Sequence, residues 1–67
     1  MHFIEVMPTD RSMSIYVNVD HIAEIEPDFD RNGDPISIIR MDTKRTLYVE
    51  NTTTNILDQM LRQERRP

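Results

Sequence analysis

The chain has 67 residues, a formal net charge of −4, no cysteine and a single glycine. So short a chain forms one domain at most and buries only about 60% of the surface its unfolded form exposes; without cysteine, disulfides and thiolate zinc sites are excluded as staples and self-association is left. The opening MHFIEVMP has no basic stretch leading into an apolar one, and no run approaches the roughly 20 apolar residues of a membrane span, which predicts a cytoplasmic location.

In chain order, HFIEVMP is rich in strand formers and stops at Pro8, where PTDRS supplies turn residues. SMSIYVNV then alternates, with Met13, Ile15, Val17 and Val19 on one side and Ser12, Ser14, Tyr16 and Asn18 on the other. This period of two predicts a second strand, in a hairpin with the first. Asn18 or Asp20 can cap a single helical turn through His21 and Ile22, and AEIEP is extended again, giving a third strand that ends near Pro27.

The next stretch, DFDRNGD, sets Asp28, Asp30, Asn32 and Asp34 at alternate positions, as the first half of an EF-hand loop does. The twelfth position, which must carry a bidentate carboxylate, is Ile39, and the eighth is Pro35. A hairpin turn at Asn32-Gly33 is the expectation, because both residue types tolerate positive φ. ISIIRM makes a fourth strand with Ile36 and Ile38 on one face and Ser37, Ile39 and Met41 on the other, DTKR connects, and TLYVE makes a fifth with Leu47 and Val49 inward and Tyr48 opposite. From Thr52 the period changes. Ile56, Leu57, Met60 and Leu61 form the stripe of an amphipathic helix, with Thr52 as N-cap, Asn55 three residues on, and Arg62, Arg65 and Arg66 at the end that the macrodipole makes favourable for cations. The expected architecture is α+β: one domain over residues 1–67, five mostly antiparallel strands within 2–50 in a curled sheet or partly open barrel, and one C-terminal helix over about 53–66.

Residues with chemistry are few. His21 beside Asp20 resembles part of an acid–base pair, but neighbours in sequence rarely face one another, and no serine or cysteine nucleophile accompanies them. Glu5, Glu24 and Glu26 are expected on the wet face of a sheet, and Asn51-Thr52-Thr53 matches a glycosylation pattern without a secretion signal. No enzyme activity, catalytic residue, cofactor or metal is predicted. The positive signal is a second apolar face formed by Tyr16, Ile39, Met41 and Tyr48, which one helix cannot cover if it covers the first; such a face predicts a protein contact, most simply a homodimer. The alternative is a nucleic-acid-binding regulator using Arg40, Lys44, Arg45, Arg62, Arg65 and Arg66, although the net charge is acidic.

FIEV, IYVNVDHIAEIEP, ISIIRM, LYVEN and ILDQML together resemble, over nearly the whole chain, the FlbD-type family of short bacterial proteins related to flagellar and swarming-motility products. The most specific element is VNVDHIAEIEP, where an Asn-x-Asp-x-Ile core ends one strand and begins the next. MDTKRT stands where that family has a Gly-containing turn, and NTTTN where it has a serine cap followed by acids. The resemblance implies a small non-enzymatic protein and carries over no catalytic residue. Fainter likenesses, to the start of LytTR-type DNA-binding domains in VNVDHIAEIE and to the element order of CsrA-type RNA-binding proteins, are architectural and do not fix function.

Overall fold

The structure is a computed structural model and describes residues 2–64. Its elements are β1 (Phe3–Val6), β2 (Ile15–Asn18), a single 3₁₀ turn (Val19–His21), β3 (Ile22–Phe29), β4 (Pro35–Met41), β5 (Thr46–Val49) and α1 (Thr53–Glu64). This is the expected α+β architecture, with the strands divided between two antiparallel sheets, β1–β2 and β3–β4–β5, that do not close into a barrel. Between the sheets the chain after β1 runs against β5. Pro8 bridges Val49, Thr9 donates its N–H to the Tyr48 carbonyl at 2.9 Å, and the Glu50 N–H reaches the Met7 carbonyl at 2.7 Å. β1 is therefore bonded to β2 along one edge and, beyond Val6, to β5 along the other, which curls the five strands around one interior.

That interior holds Ile4, Val6, Val17, Ile39, Val49 and Ile56, all buried, with Ile15, Ile22, Ile25, Met41, Leu47 and Met60 packed around them. β4 differs from the sequence expectation. Ile39 is 0% exposed and Met41 packs on the core, whereas Ile36 and Ile38 lie on the outer face. Register decides this, because Ile39 pairs with Ile25 and Leu47, and Ser37 pairs with Val49, so the inward residues of both neighbouring strands select the face that contains Ser37. Ser37 is fully buried there, and its hydroxyl donates to the Asn51 carbonyl at 2.7 Å, which removes the penalty for burying it. Met13, expected inward on a longer β2, precedes the strand and is exposed.

α1 lies along the edge of β1 that β2 leaves free. The Gln59 side chain accepts from the Glu5 N–H at 2.9 Å and donates to the Glu5 carbonyl at 2.8 Å, which is how a neighbouring strand would bond that residue. Gln63 donates to the Phe3 carbonyl, and the Asn51 side chain accepts from the Met7 N–H at 2.8 Å. Asn55 ties the set together, its side-chain oxygen accepting from Asn51 at 2.7 Å and Gln59 at 3.0 Å. Positions 55, 59 and 63 recur every four residues and so form one row along the helix, which Asn51 extends just before the N-cap. The N-cap falls where expected, with Thr52 Oγ1 accepting from the Asn55 N–H at 3.1 Å. Asn18 caps the 3₁₀ turn, accepting from the Asp20 N–H at 3.0 Å. The expected continuation of the helix to residue 66 lies outside the described residues.

The two hairpins of the larger sheet share one geometry. In the first, Asp30 N–H bonds Asp34 and Gly33 N–H bonds Asp30; in the second, Met41 N–H bonds Arg45 and Lys44 N–H bonds Met41. Each is a three-residue loop whose last residue is left-handed: Gly33 at φ 83° and Lys44 at φ 73°. Only Gly33 of the Asn-Gly pair takes positive φ, because the added residue makes this a bulged loop and not the two-residue turn that Asn-Gly signals.

Two outcomes are expected in thermal unfolding. Lys44→Gly relieves a left-handed side-chain residue and stabilises by about 0.5–1 kcal/mol, whereas Gly33→Ala meets no neighbouring atom yet loses about 1 kcal/mol to backbone strain. An unchanged or lower melting temperature for Lys44→Gly contradicts the loop assignment. Gln59→Ala is expected to cost about 1 kcal/mol and to speed hydrogen exchange selectively at the Glu5 amide, while equal exchange before and after substitution is incompatible with the edge contact.

Candidate contact face around Tyr48

The helix packs on the inner face, and on the outer face of β3–β4–β5 the flanking strands carry the exposed side chains while Ile36 and Ile38 of β4 are buried. Pairing places Glu26, Ile38 and Tyr48 in one row, Asp28 and Ile36 in the next toward the hairpin tip, and Glu24, Arg40 and Thr46 in the one before. Ile36 and Ile38, on the central strand, are closed off by these flanking rows, while Tyr48 is 51% exposed. Phe29, at the hairpin end, is also exposed.

Arg40 holds two of the acids. Its guanidinium lies 2.5 Å from Glu26 and 3.7 Å from Glu24, and the hydrogen bond it donates to Glu26, followed by that carboxylate's charge, raises its pKa above the ordinary arginine value. The pair is solvent-exposed and therefore orients the row more than it stabilises the fold.

Two grooves adjoin Tyr48 and share Tyr48 and Thr9 as walls. One, at the tip of the β3–β4 hairpin, has Ile36 in its floor and carries the carboxylates of Asp28, Asp30, Asp34 and Glu50 with the one guanidinium of Arg31. The other, where residues 8–11 diverge from the start of β5, carries Arg11 and Arg45 with the one carboxylate of Asp10, beside Leu47. The charge changes sign from one end of β5 to the other.

The expected contact residues separate. Tyr48 stands between the grooves; Tyr16 is 69% exposed but sits on the outer face of the β1–β2 sheet opposite Glu5 and borders neither groove. Ile39 and Met41 are buried in or against the core, and Ile36 and Ile38, which lie on Tyr48's side of β4, are buried as well, so Tyr48 is the exposed residue of this face among the four expected. The inversion was hard to see because β4 is apolar on both sides, so its period could not choose a face; the outward carboxylates of Glu24, Glu26 and Asp28 were the usable signal once their register with Ile38 and Ile36 was known.

Of the basic residues, Arg40 is engaged by Glu24 and Glu26, and Arg62 by Asp58 at 2.8 Å on the helix. Lys44 and Arg45 lie at the β4–β5 loop, and Arg65 and Arg66 fall outside the described residues. The EF-hand-like acids are organised as a turn: Asp30 Oδ1 accepts from the N–H groups of Asn32 at 2.8 Å and Asp34 at 2.9 Å. Among the described residues no group of three or more His, Cys, Asp or Glu could hold a metal ion, and no helix is long and apolar enough to cross a membrane. His21, the last residue of the 3₁₀ turn, pairs with Asp42 at 3.2 Å and not with Asp20; both side chains are half exposed, and the Asp42 N–H bonds the His21 carbonyl, so the pair clasps the turn before β3 to the β4–β5 loop. Comparison with protein-family models, curated proteins and solved structures finds no match to this chain.

Arg40→Glu is expected to lower the melting temperature by setting a third carboxylate against Glu24 and Glu26, with a deficit that shrinks as salt is added. A salt-independent deficit would mean that Arg40 acts through packing of its stem.

Proposed function

We propose that this chain is a non-enzymatic interaction module, self-associating and of the bacterial cytoplasm, whose contact face is the outer face of β3–β4–β5 around Tyr48. One observation carries it: α1 packs Ile56 and Met60 into the inner face, leaving a half-exposed tyrosine next to Ile38 and flanked by two grooves of opposite charge. An amphipathic ring at the centre with charge at the margins is the composition of a protein contact. Membership in the FlbD-type family belongs to the same proposal and fits a small non-enzymatic role.

Nucleic-acid binding is the second reading. The cleft that joins Arg11 and Arg45 to Tyr48 supports it, since base stacking on an aromatic ring beside arginines is a common arrangement. The carboxylates engaging Arg40 and Arg62, and the acidic groove on the other side of Tyr48, oppose a phosphate backbone laid across the face.

A photo-crosslinking phenylalanine analogue replacing Tyr48 in cells is expected to yield a discrete protein adduct, and the same analogue at exposed Leu57 on the helix is expected to yield none. Adducts from position 57 alone would reject this face; nucleic-acid adducts from position 48 would favour the second reading.

A further inference from the structure

Resting on the contact face proposed above, the charge reversal along β5 identifies what binds there. The acidic groove sets four carboxylates against one guanidinium, and the opposite cleft sets two guanidinium groups against one carboxylate. Tyr48 and Thr9 border both, so the reversal is centred on Tyr48. A partner of uniform sign does not fit such a surface: a basic segment that satisfied Asp28, Asp34 and Glu50 would be repelled by Arg11 and Arg45, and an acidic one would fail in the reverse sense. A surface with the same reversal, rotated by half a turn, satisfies both ends.

We infer that the occupant is a second copy of this chain, docked about a two-fold axis that passes beside Tyr48, with the acidic groove of each copy over the Arg11–Arg45 cleft of the other. The symmetry makes every charged contact occur twice, so one favourable pairing counts double and one unfavourable substitution does too. The two Tyr48 rings meet at the axis, and the charges of the two grooves form the rim. Rim charges fix orientation, and the aromatic centre supplies most of the affinity.

Sedimentation of five samples tests this: the parent chain, Arg45→Glu, Glu50→Arg, an equimolar mixture of those two variants, and the chain carrying both substitutions. Both side chains are exposed and neither is used in the fold, so the variants are expected to fold. The parent is expected to dimerise, more weakly as salt rises; Arg45→Glu is expected to weaken self-association at least about tenfold, since its cleft becomes acidic and meets the acidic groove twice, and Glu50→Arg to weaken it less, since three carboxylates remain in the groove. The mixture is expected to associate more tightly than Arg45→Glu alone, because the intact acidic groove of Arg45→Glu meets the intact cleft of Glu50→Arg at one end. The doubly substituted chain is expected to stay as weak as Arg45→Glu, since its groove keeps three carboxylates and its cleft has become acidic, so like charges meet at both ends. Tighter association in the mixture also shows that the single variants were folded.

A parent chain that stays monomeric at high micromolar concentration overturns the inference, as does Arg45→Glu dimerising like the parent or a mixture that associates no more tightly than Arg45→Glu alone. The contact face itself fails separately: a monomeric chain that still crosslinks through position 48 to a different polypeptide removes the second copy and keeps the face, whereas loss of all adducts at position 48 removes both.

Discussion

Amide side chains stand where a sixth strand would otherwise be needed. β1 is bonded to β2 on one side, and its other edge would present the polar groups of Phe3, Glu5 and Met7 to a gap; Gln63 and Gln59 of the helix and Asn51 just before it fill that gap. Backbone polar groups must find partners, and a 67-residue chain has few residues to spare for another strand. The substitution lets a helix close a sheet laterally while its neighbouring face, Ile56 and Met60, fills the interior. Asn51 is the junction, since its side chain meets β1 and Asn55 while its carbonyl takes the hydroxyl of buried Ser37 on β4. The inversion of β4 follows: with Ser37 held by Asn51, Ile39 points to the core and Ile36 and Ile38 face outward.

Much of the fold was legible because it depends on local periods. Alternation at Ile15, Val17 and Val19, the change of period after Thr52, and the capping potential of Asn18 and Thr52 are each written in a few adjacent residues, and the structure shows the corresponding strand, helix and caps. What was not legible depends on partners distant in sequence. The face of β4 is decided by its pairing with Ile25 and Leu47, and the amide row reads as an ordinary polar helix face until the free edge of β1 is laid against it. Lys44 was illegible for another reason. Its left-handed conformation is imposed by the hydrogen bonds at Met41 that close the loop, and no residue preference announces it.

Around the proposed contact face, Tyr48 is legible from its place opposite Leu47 and Val49 and Tyr16 is exposed as expected but on the other sheet, whereas Ile39 and Met41 turn inward with β4. The grooves themselves could not be foreseen. The acidic one joins the β3–β4 hairpin to Glu50, and the basic one joins Arg11 to Arg45, which are far apart in sequence and meet because residues 7–9 run against β5. The overall charge of −4 conceals this polarity, because the surface separates charges that composition adds together.

β3 is the outermost strand of its sheet, and its terminal stretch is poor in available donors. The Asp30–Asp34 bond places Pro27 and Phe29 at positions whose nitrogens turn away from β4; Pro27 has no hydrogen to offer, and the Phe29 N–H is already held by the Asp28 carboxylate at 2.8 Å. Another extended polypeptide arriving along that border would find its carbonyls unanswered at successive sites. The molecule is thereby guarded against templated fibril growth at this margin, and its associations are steered toward contacts between side chains, which can terminate in a finite assembly.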